Sequence, residues 1–200
     1  MPDPQAPSGS IRLGRVAGVP VYLDRTWLIL GAFIAWTGWQ AGRDLGTTTG
    51  IAYAGWLVLG ILTAVLGHEI AHAVAGRMLG FRVHRIVATL WGGHTSYDGT
   101  GSTPGRAAAI AVSGPLANLG LAGIGWIGLQ ALTGPVAQVV LWWFVAINLL
   151  LAAFNLLPGL PLDGGQVVHS LVWKVSGRRD TALLVAGWLG RLLTVAVAVF

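Results

Sequence analysis

The stretch Gly67-His68-Glu69-Ile70-Ala71-His72 lies inside a long apolar run and contains the pattern H-E-x-x-H. Residues four apart share one face of a helix, so both imidazoles can reach one Zn²⁺ at roughly 2.0–2.1 Å. Glu69 then borders the open position of the metal, where its carboxylate can take a proton from water. Because Glu69 is the single Glu of the sequence and there are 5 His among 200 residues, a chance match has an expectation of roughly 0.0006.

Two simpler interpretations apply to the same residues. A single His in an apolar helix is usually a core residue with satisfied hydrogen bonds, and a single Glu within a membrane can serve as a proton relay. Neither interpretation requires His68, Glu69 and His72 to be in register. Their common register therefore favours the metal site.

Composition places the chain among polytopic membrane proteins of one domain. The sequence is 54% apolar and 10% charged, with a mean hydropathy of +0.71. It contains no cysteine, so a metal must use nitrogen and oxygen ligands. The net charge of +5 comes from basic residues dispersed in loops, which indicates membrane orientation and no nucleic-acid partner. We expect a disordered start over residues 1–10 and one transmembrane domain over residues 11–200.

The apolar segments predict an all-α membrane protein, a polytopic helical bundle with a small membrane-associated β-element. About five transmembrane segments are expected, over residues 26–39, 51–79, 104–132, 136–155 and 181–200, with a short helix over residues 166–175. The first segment is shorter than the ~20 residues that cross a bilayer comfortably. The last segment ends on an apolar run, from which we expect a C-terminally truncated domain.

The distribution of basic residues predicts the orientation. In this topology a single side of the membrane receives ten of them: Arg12, Arg15, Arg25, Arg77, Arg82, Arg85, Arg106, Lys174, Arg178 and Arg179. The other side receives Arg43, and Arg191 lies within the last segment. The positive-inside rule then places the N-terminus and the H-E-x-x-H end of its helix in the cytoplasm.

Two His leave a zinc site one protein ligand short, because catalytic sites commonly use three. The candidates are His84, His94, Asp98, Asp163 and His169. Asp163 is favoured because it follows a Pro- and Gly-rich break in a helix, and Gly164-Gly165 permit a close approach of the backbone to a metal. Asp163 with Gln166 also fits a helix cap, which is the alternative role. His94 is the reserve ligand, and a satisfied or solvent-facing imidazole is expected for His84 and His169.

Two further stretches carry candidate roles. Residues 81–101 include the β-favouring Val83, Ile86, Val87, Thr89, Leu90 and Trp91, followed by Gly92-Gly93. They predict a strand pair that dips toward the site, with an edge that can pair with an extended peptide. A surface connector without a substrate role is the alternative. In residues 113–118, Asn118 is expected to bond a neighbouring helix rather than to act in catalysis.

These motifs resemble the site-2 protease family of intramembrane zinc metalloproteases. The resemblance rests on His68-Glu69-Ile70-Ala71-His72, on Asn155-Leu156-Leu157-Pro158 and on Leu162-Asp163-Gly164-Gly165. Residues 113–118, Gly92-Gly93 and the stretch from Arg12 to Trp27 add to it, the last notably in the branch with C-terminal CBS domains. The resemblance covers residues 11–200. A sixth helix and the CBS part are missing, and His94 stands where an apolar residue is expected.

The resemblance implies roles for particular residues. His68, His72 and Asp163 would bind Zn²⁺, Glu69 would be the general base, and Asn155 would help to hold the tetrahedral intermediate. It also implies single-pass membrane proteins such as anti-sigma factors as substrates. We further expect a multi-pass location in the cell membrane, and a homo-oligomer stays open. Two other function classes stay open at this point: a metal-binding transporter and a catalytically inactive relative that only binds substrates.

Overall fold

The computed structural model describes residues 7–89, 92–99 and 101–199. Within these residues the strands are β1 Ser10–Val16, β2 Val19–Asp24, β3 Val83–Thr89 and β4 Gly92–Tyr97. The helices are α1 Thr26–Gly42, α2 Thr47–Met78, α3 Pro104–Ala131, α4 Pro135–Asn155, α5 Asp163–Ser176 and α6 Arg179–Val199, with a 3₁₀ turn at Arg43–Leu45. Residues 1–6 of the expected disordered start, and Leu90 and Trp91 of the expected strand region, lie outside the described residues.

The helices form the membrane part that the apolar segments predict. Among the described residues, α2, α3, α4 and α6 are long and apolar enough to cross a bilayer. With 17 residues, α1 extends three residues beyond the predicted segment and would measure about 25 Å, somewhat short of the ~30 Å hydrocarbon core. Large apolar side chains such as Ile127 and Leu150 are more than 65% exposed on these helices, as lipid-facing residues are. The chain is a multi-pass membrane protein.

The four strands form one sheet in the order β1-β2-β3-β4. β1 pairs with β2 and β3 pairs with β4 in antiparallel fashion, whereas β2 and β3 are parallel, with Val21 opposite Ile86. The parallel pair joins the residues before α1 to the residues after α2. α1 and α2 therefore leave the sheet and return to it, which puts the end of α2 beside β3 and β4.

One face of the sheet packs on the second half of α2. Val21 and Ile86 contact Ala73, and Leu23 and Ala88 lie in a second cluster with Val65. Ile86 and Ala88 are fully buried. This apolar contact fixes the position of the sheet relative to the helix that carries the H-E-x-x-H pattern.

The chain between α4 and α5 is irregular over residues 156–162, as its prolines and glycines predict. Leu160 donates its backbone N–H to the carbonyl of Ala186 on α6, which ties this segment to the bundle. α5 begins at Asp163, three residues before the predicted start. The segment therefore delivers Asp163 in the first turn of a helix, next to α2 and α3.

Candidate metal centre

Three side chains from α2 and α5 converge at the candidate metal centre. The Nε2 atoms of His68 and His72 are 3.0 Å apart. Oδ2 of Asp163 lies 3.0 Å from Nε2 of His68 and 3.3 Å from Nε2 of His72. In a tetrahedral zinc site with bonds of about 2.0–2.1 Å, the ligand atoms are roughly 3.3 Å apart. The three atoms thus have the spacing that one small cation requires.

The hydrogen bonds of Asn118 on α3 fix which nitrogen of His68 faces the centre. The Nδ2 group of Asn118 donates to the carbonyl of Ala64 at 3.1 Å and to Oδ1 of Asn148 at 2.9 Å. Its Oδ1 is therefore the atom 2.7 Å from Nδ1 of His68, and an amide oxygen only accepts. Nδ1 of His68 must carry the proton, which leaves Nε2 with a lone pair.

A backbone carbonyl fixes which nitrogen of His72 faces the centre. The carbonyl oxygen of Ile110 accepts from Nδ1 of His72 at 2.8 Å. The Ser113 hydroxyl donates to that same carbonyl at 2.7 Å. Nε2 of His72 therefore also presents a lone pair. Such a hydrogen bond from the other ring nitrogen is the usual support of a metal-ligating His.

The centre brings three acceptors together where water is scarce. His68 and His72 are each 7% exposed, and Oδ2 of Asp163 is buried without a hydrogen-bond partner. Two lone pairs and a carboxylate oxygen at this spacing repel one another unless a cation lies between them. A divalent metal ion satisfies all three at once, whereas a proton satisfies one.

Gly114 on α3 gives the two imidazoles the space that they occupy. A Cβ atom at this position would lie 2.4 Å from Nε2 of His72 and 2.6 Å from Nε2 of His68. These separations are far below van der Waals contact. The absence of a side chain at residue 114 is thus a requirement of the centre.

Glu69 stands beside the three ligand atoms and is held by β4. Its side chain is 5% exposed, and its Oε2 accepts a hydrogen bond of 2.8 Å from the Thr95 hydroxyl. The backbone of Gly93 packs so closely on Glu69 that a Cβ there would lie 2.3 Å from Cγ of Glu69. The carboxylate is therefore placed next to the centre without being part of the ligand cluster.

A cavity of about 300 Å³ opens from the centre and contains the remaining candidate groups. Besides the three metal-binding candidates and Glu69, its lining includes Asn155, Tyr97 and His94. Asn155 uses one of its two amide hydrogens on the carbonyl of Leu151 at 3.0 Å and keeps the other. Burial raises the pKa of the Tyr97 phenol, and the nearby Asp163 carboxylate raises this pKa further. Tyr97 is therefore a neutral hydrogen-bond donor at neutral pH.

The arrangement matches a known family of peptidases. The profile of peptidase family M50 matches residues 130–195. The chain is 34% identical over 192 residues to the putative zinc metalloprotease sll0528 of Synechocystis, covering 92% of this chain and 50% of that protein. It is 35% identical over 198 residues to the putative zinc metalloprotease Rip3 of Mycobacterium tuberculosis, covering 94% and 50%. The chain belongs to peptidase family M50, the site-2 protease family.

A solved structure confirms the fold of this M50 chain. The site-2 protease from Methanocaldococcus jannaschii superposes with a TM-score of 0.66 at 23% sequence identity, covering 94% of this chain and 82% of that one. The predicted helical bundle with a small sheet is thus confirmed. The chain spans about half the length of the curated relatives that it matches.

The other candidate ligands of the M50 chain lie elsewhere. His84 forms a half-exposed pair with Asp98 at 3.0 Å, and His169 is buried beside Trp173 on α5. His94 borders the cavity but is outside the cluster of three ligand atoms. The cap alternative for Asp163 is wrong, because the cap position of α5 is Leu162 and the Asp163 carboxylate faces the two imidazoles.

Gly164-Gly165 have a packing role in the structure, and the close approach to a metal that the sequence suggests for them stays a prediction. A Cβ at Gly164 would lie 2.2 Å from the carbonyl oxygen of Leu156, and one at Gly165 would lie 2.3 Å from the carbonyl carbon of Gly159. These glycines let the start of α5 pack on the irregular segment. They position Asp163 indirectly.

Sequence reasoning missed the groups that orient the M50 site. Asn118 was expected only to bond a neighbouring helix; it does so, and its partner is the candidate ligand His68. Asn148 and Thr95 received no role at all. A ligating His generally needs a partner for its second nitrogen, which makes any buried Asn a candidate, but the spacing in the sequence does not say which helices meet.

We expect Gly114→Ala to abolish metal binding, because the added methyl group would occupy the space of both imidazoles. Metal content per protein, measured by mass spectrometry after purification in detergent, should fall at least about 10-fold. Gly120→Ala is the matched control, since α3 also carries Gly120 and a Cβ there meets nothing within 4 Å. Full metal content in Gly114→Ala would contradict the placement of α3 against the centre.

We expect Asn118→Ala to weaken divalent metal binding by about 10–100-fold, because His68 would lose the acceptor that fixes its tautomer. Competition with a chromogenic chelator measures this affinity. Gln138→Ala is the control, since it removes a side-chain amide that donates to Leu129 away from the site. Equal affinity in Asn118→Ala and the unaltered protein would show that the hydrogen bond does not orient the ligand.

Proposed function

We propose that this chain is an intramembrane zinc metalloprotease that hydrolyses peptide bonds in or near the transmembrane segments of membrane-anchored substrates. One observation carries the proposal: His68, His72 and Asp163 present three acceptor atoms within 3.3 Å of one another, with Glu69 beside them. The zinc metalloprotease names of the relatives support the same assignment for the chain.

The donor set favours zinc among the common metals. Two imidazole nitrogens and one carboxylate oxygen are the ligands of several catalytic zinc sites, which keep a further position open. Magnesium and calcium prefer sites built from oxygen alone. The buried and partnerless Oδ2 of Asp163, and the space that Gly114 leaves for the imidazoles, are features that such an ion would explain. We therefore assign His68, His72 and Asp163 as the zinc ligands.

The residues around the centre supply the proton transfers of peptide hydrolysis. When bound, Zn²⁺ acts as a Lewis acid that makes water nucleophilic near neutral pH. Glu69 accepts the proton of the attacking water and passes it to the nitrogen of the leaving amine. Asn155 lines the cavity, and the amide hydrogen that it does not use on Leu151 donates to the negative charge that develops on the peptide oxygen.

The sheet and a second cavity suit a membrane-derived peptide. Among the described residues β4 has one hydrogen-bonded neighbour, so its outer edge can pair with an extended substrate. A helical substrate must unwind first, because its amides are bonded within the helix. A cavity of about 370 Å³ adjoins Glu69 and Asn155 and is lined by apolar side chains: Leu30, Ile61, Val65, Leu151, Phe154 and Leu162. Single-pass membrane proteins, such as anti-sigma factors, present segments of this kind.

The orientation belongs to the same proposal. The parallel pairing of β2 with β3 keeps the residues before α1 and after α2 in one sheet, and Arg12, Arg15 and Arg85 lie on its strands. The positive-inside rule then places this sheet and the proposed site on the cytoplasmic side of the cell membrane. Substrates would thus be cleaved near their cytoplasmic ends.

We expect Asp163→Ala to lose the bound zinc, because two imidazoles alone hold the ion weakly. Metal analysis of the purified protein should fall from about one zinc per chain to a small fraction of that value. The control Asp98→Ala removes a carboxylate that pairs with His84 outside the centre and should keep its zinc. Retention of zinc by Asp163→Ala would refute the third ligand.

We expect Glu69→Gln to keep zinc and to lower the kcat for peptide cleavage by about 10²–10⁴-fold, since it removes the general base. The assay reconstitutes the protein in vesicles with a single-pass peptide and identifies products by mass spectrometry. Asp98→Asn is the control for removal of a negative charge.

Three outcomes would contradict this assignment. Cleavage at the unaltered rate by Glu69→Gln would remove Glu69 as the base. Zinc flux into the vesicles without any peptide product would instead favour the metal-binding transporter. Capture of the peptide without turnover by the unaltered protein would favour the inactive relative.

A further inference from the structure

Thr95 connects the edge strand of the sheet to the side chain of Glu69. Its hydroxyl lies 2.8 Å from Oε2 of Glu69 and 3.0 Å from the backbone oxygen of the same residue. Both contacts cross from β4 to α2. Among the described residues, no other hydrogen bond reaches the Glu69 carboxylate.

We propose that Thr95 is a positioning residue that holds the Glu69 carboxylate in its working orientation and links it to the strand edge where substrate pairs. The inference rests on the proposed function, because it assigns Thr95 a part in the same reaction. Thr95 does not touch the reacting atoms and acts through Glu69.

Two residues of β4 restrict the side chain of Glu69. Gly93 and Thr95 are two residues apart on β4, so they face the same side of the sheet. Gly93 packs on Cγ and Cδ of Glu69, with a virtual Cβ at 2.3 and 2.7 Å, while Thr95 binds the carboxylate end. The backbone thus blocks one direction of rotation and the hydroxyl selects the remaining orientation. A glutamate in a helix has three rotatable bonds, which these contacts restrict.

The hydroxyl is suited to a carboxylate that exchanges a proton. Thr95 has one donor hydrogen and lone pairs that accept. It donates to Oε2 while Glu69 is ionised, and it can turn to the backbone oxygen of Glu69 while accepting from the acid form. The contact therefore persists before and after Glu69 takes up a proton. A group that can only donate would lose its hydrogen bond to Glu69 once the Glu69 carboxylate takes up a proton.

The position of Thr95 in the sheet makes the link to substrate. β3 is anchored on α2 through Ile86, and Thr95 is the residue of β4 that pairs with Ile86. The side of β4 away from β3 carries no strand among the described residues. A peptide that adds to this side extends the sheet and stiffens β4 at Thr95. Binding of the substrate backbone and orientation of the base are thereby coupled.

The first test observes Glu69 directly and needs no activity. Glu69 is the single Glu of the sequence, so cell-free synthesis with carbon-13 glutamate places one labelled carboxyl group in the protein. We expect Thr95→Val to shift and broaden this carboxyl resonance, because the hydrogen bond is lost and the side chain gains freedom. Thr95→Ser should restore the resonance of the unaltered protein. Thr37→Val is the matched control, since the Thr37 hydroxyl donates to the carbonyl of Ile34 within its own helix α1.

The second test separates positioning from binding. We expect Thr95→Val to lower the kcat for peptide cleavage by about 10–100-fold, the size of effect that misplacement of a reacting group produces. KM should stay within about twofold, because the backbone edge of β4 is unchanged. Thr95→Ser should recover most of the kcat, and the control Thr37→Val should leave both constants unaltered. Zinc content should be equal in all variants.

Several outcomes would overturn the inference while leaving the proposed function intact. They are an unshifted carboxyl resonance in Thr95→Val, an unaltered kcat, a loss that appears in KM alone, or a failure of Thr95→Ser to restore either readout. If Thr95→Val does not fold, the comparison of Thr95→Ser with Thr95→Ala decides in the same way. Failure of the proposed function looks different, because the unaltered protein would then yield no peptide product while the resonance still responded to Thr95→Val.

Discussion

The structure depends on holding three electron-pair donors within 3.3 Å of one another in a nearly dry place. Such a convergence is unfavourable by itself, since each donor loses water and repels the other two. The fold overcomes this by covalent and packing constraints: His68 and His72 are one helical turn apart, and the tied segment before α5 sets Asp163 opposite them. The ion that the centre is proposed to bind would turn this repulsion into attraction, so the ends of α2 and α5 would be most stable together when it is present.

A polar layer inside the helical bundle makes that convergence specific. Asn118 and Asn148 are fully buried on α3 and α4, where no water is at hand to satisfy an amide. Their hydrogen bonds form one connected path, from the carbonyl of Phe144 through both amides to Nδ1 of His68. Because each member has a partner, the path adds orientation without leaving an unsatisfied group. Three helices thus share in setting one imidazole.

A feature of the site can be predicted from the sequence when residues close together in the chain determine it, and not when it depends on distant residues. His68, Glu69 and His72 were predictable because the helical period alone places them on one side. Asp163 was only favoured among five candidates, since ninety intervening residues separate it from His72 and its pairing with Gln166 left a helix cap as the alternative. The partners of Asn118 and of Gly164 depend on which elements meet, and the sequence alone does not say which do. Thr95 carried no signal, because a Thr in a β-favouring stretch is ordinary.

The helices and the sheet hold different parts of the candidate site. The candidate ligands belong to α2 and α5 and are oriented by α3, so their geometry belongs to the helical bundle. Glu69 sits on the same helix, yet the contacts that orient its side chain come from β4, outside the bundle. The apolar packing of β3 on α2 fixes the sheet relative to the helical bundle. It holds β3, the strand next to β4, against residues 65–73 of α2. Because the candidate ligands and the candidate base are held by different elements, the base can change its orientation while the ligands stay in place.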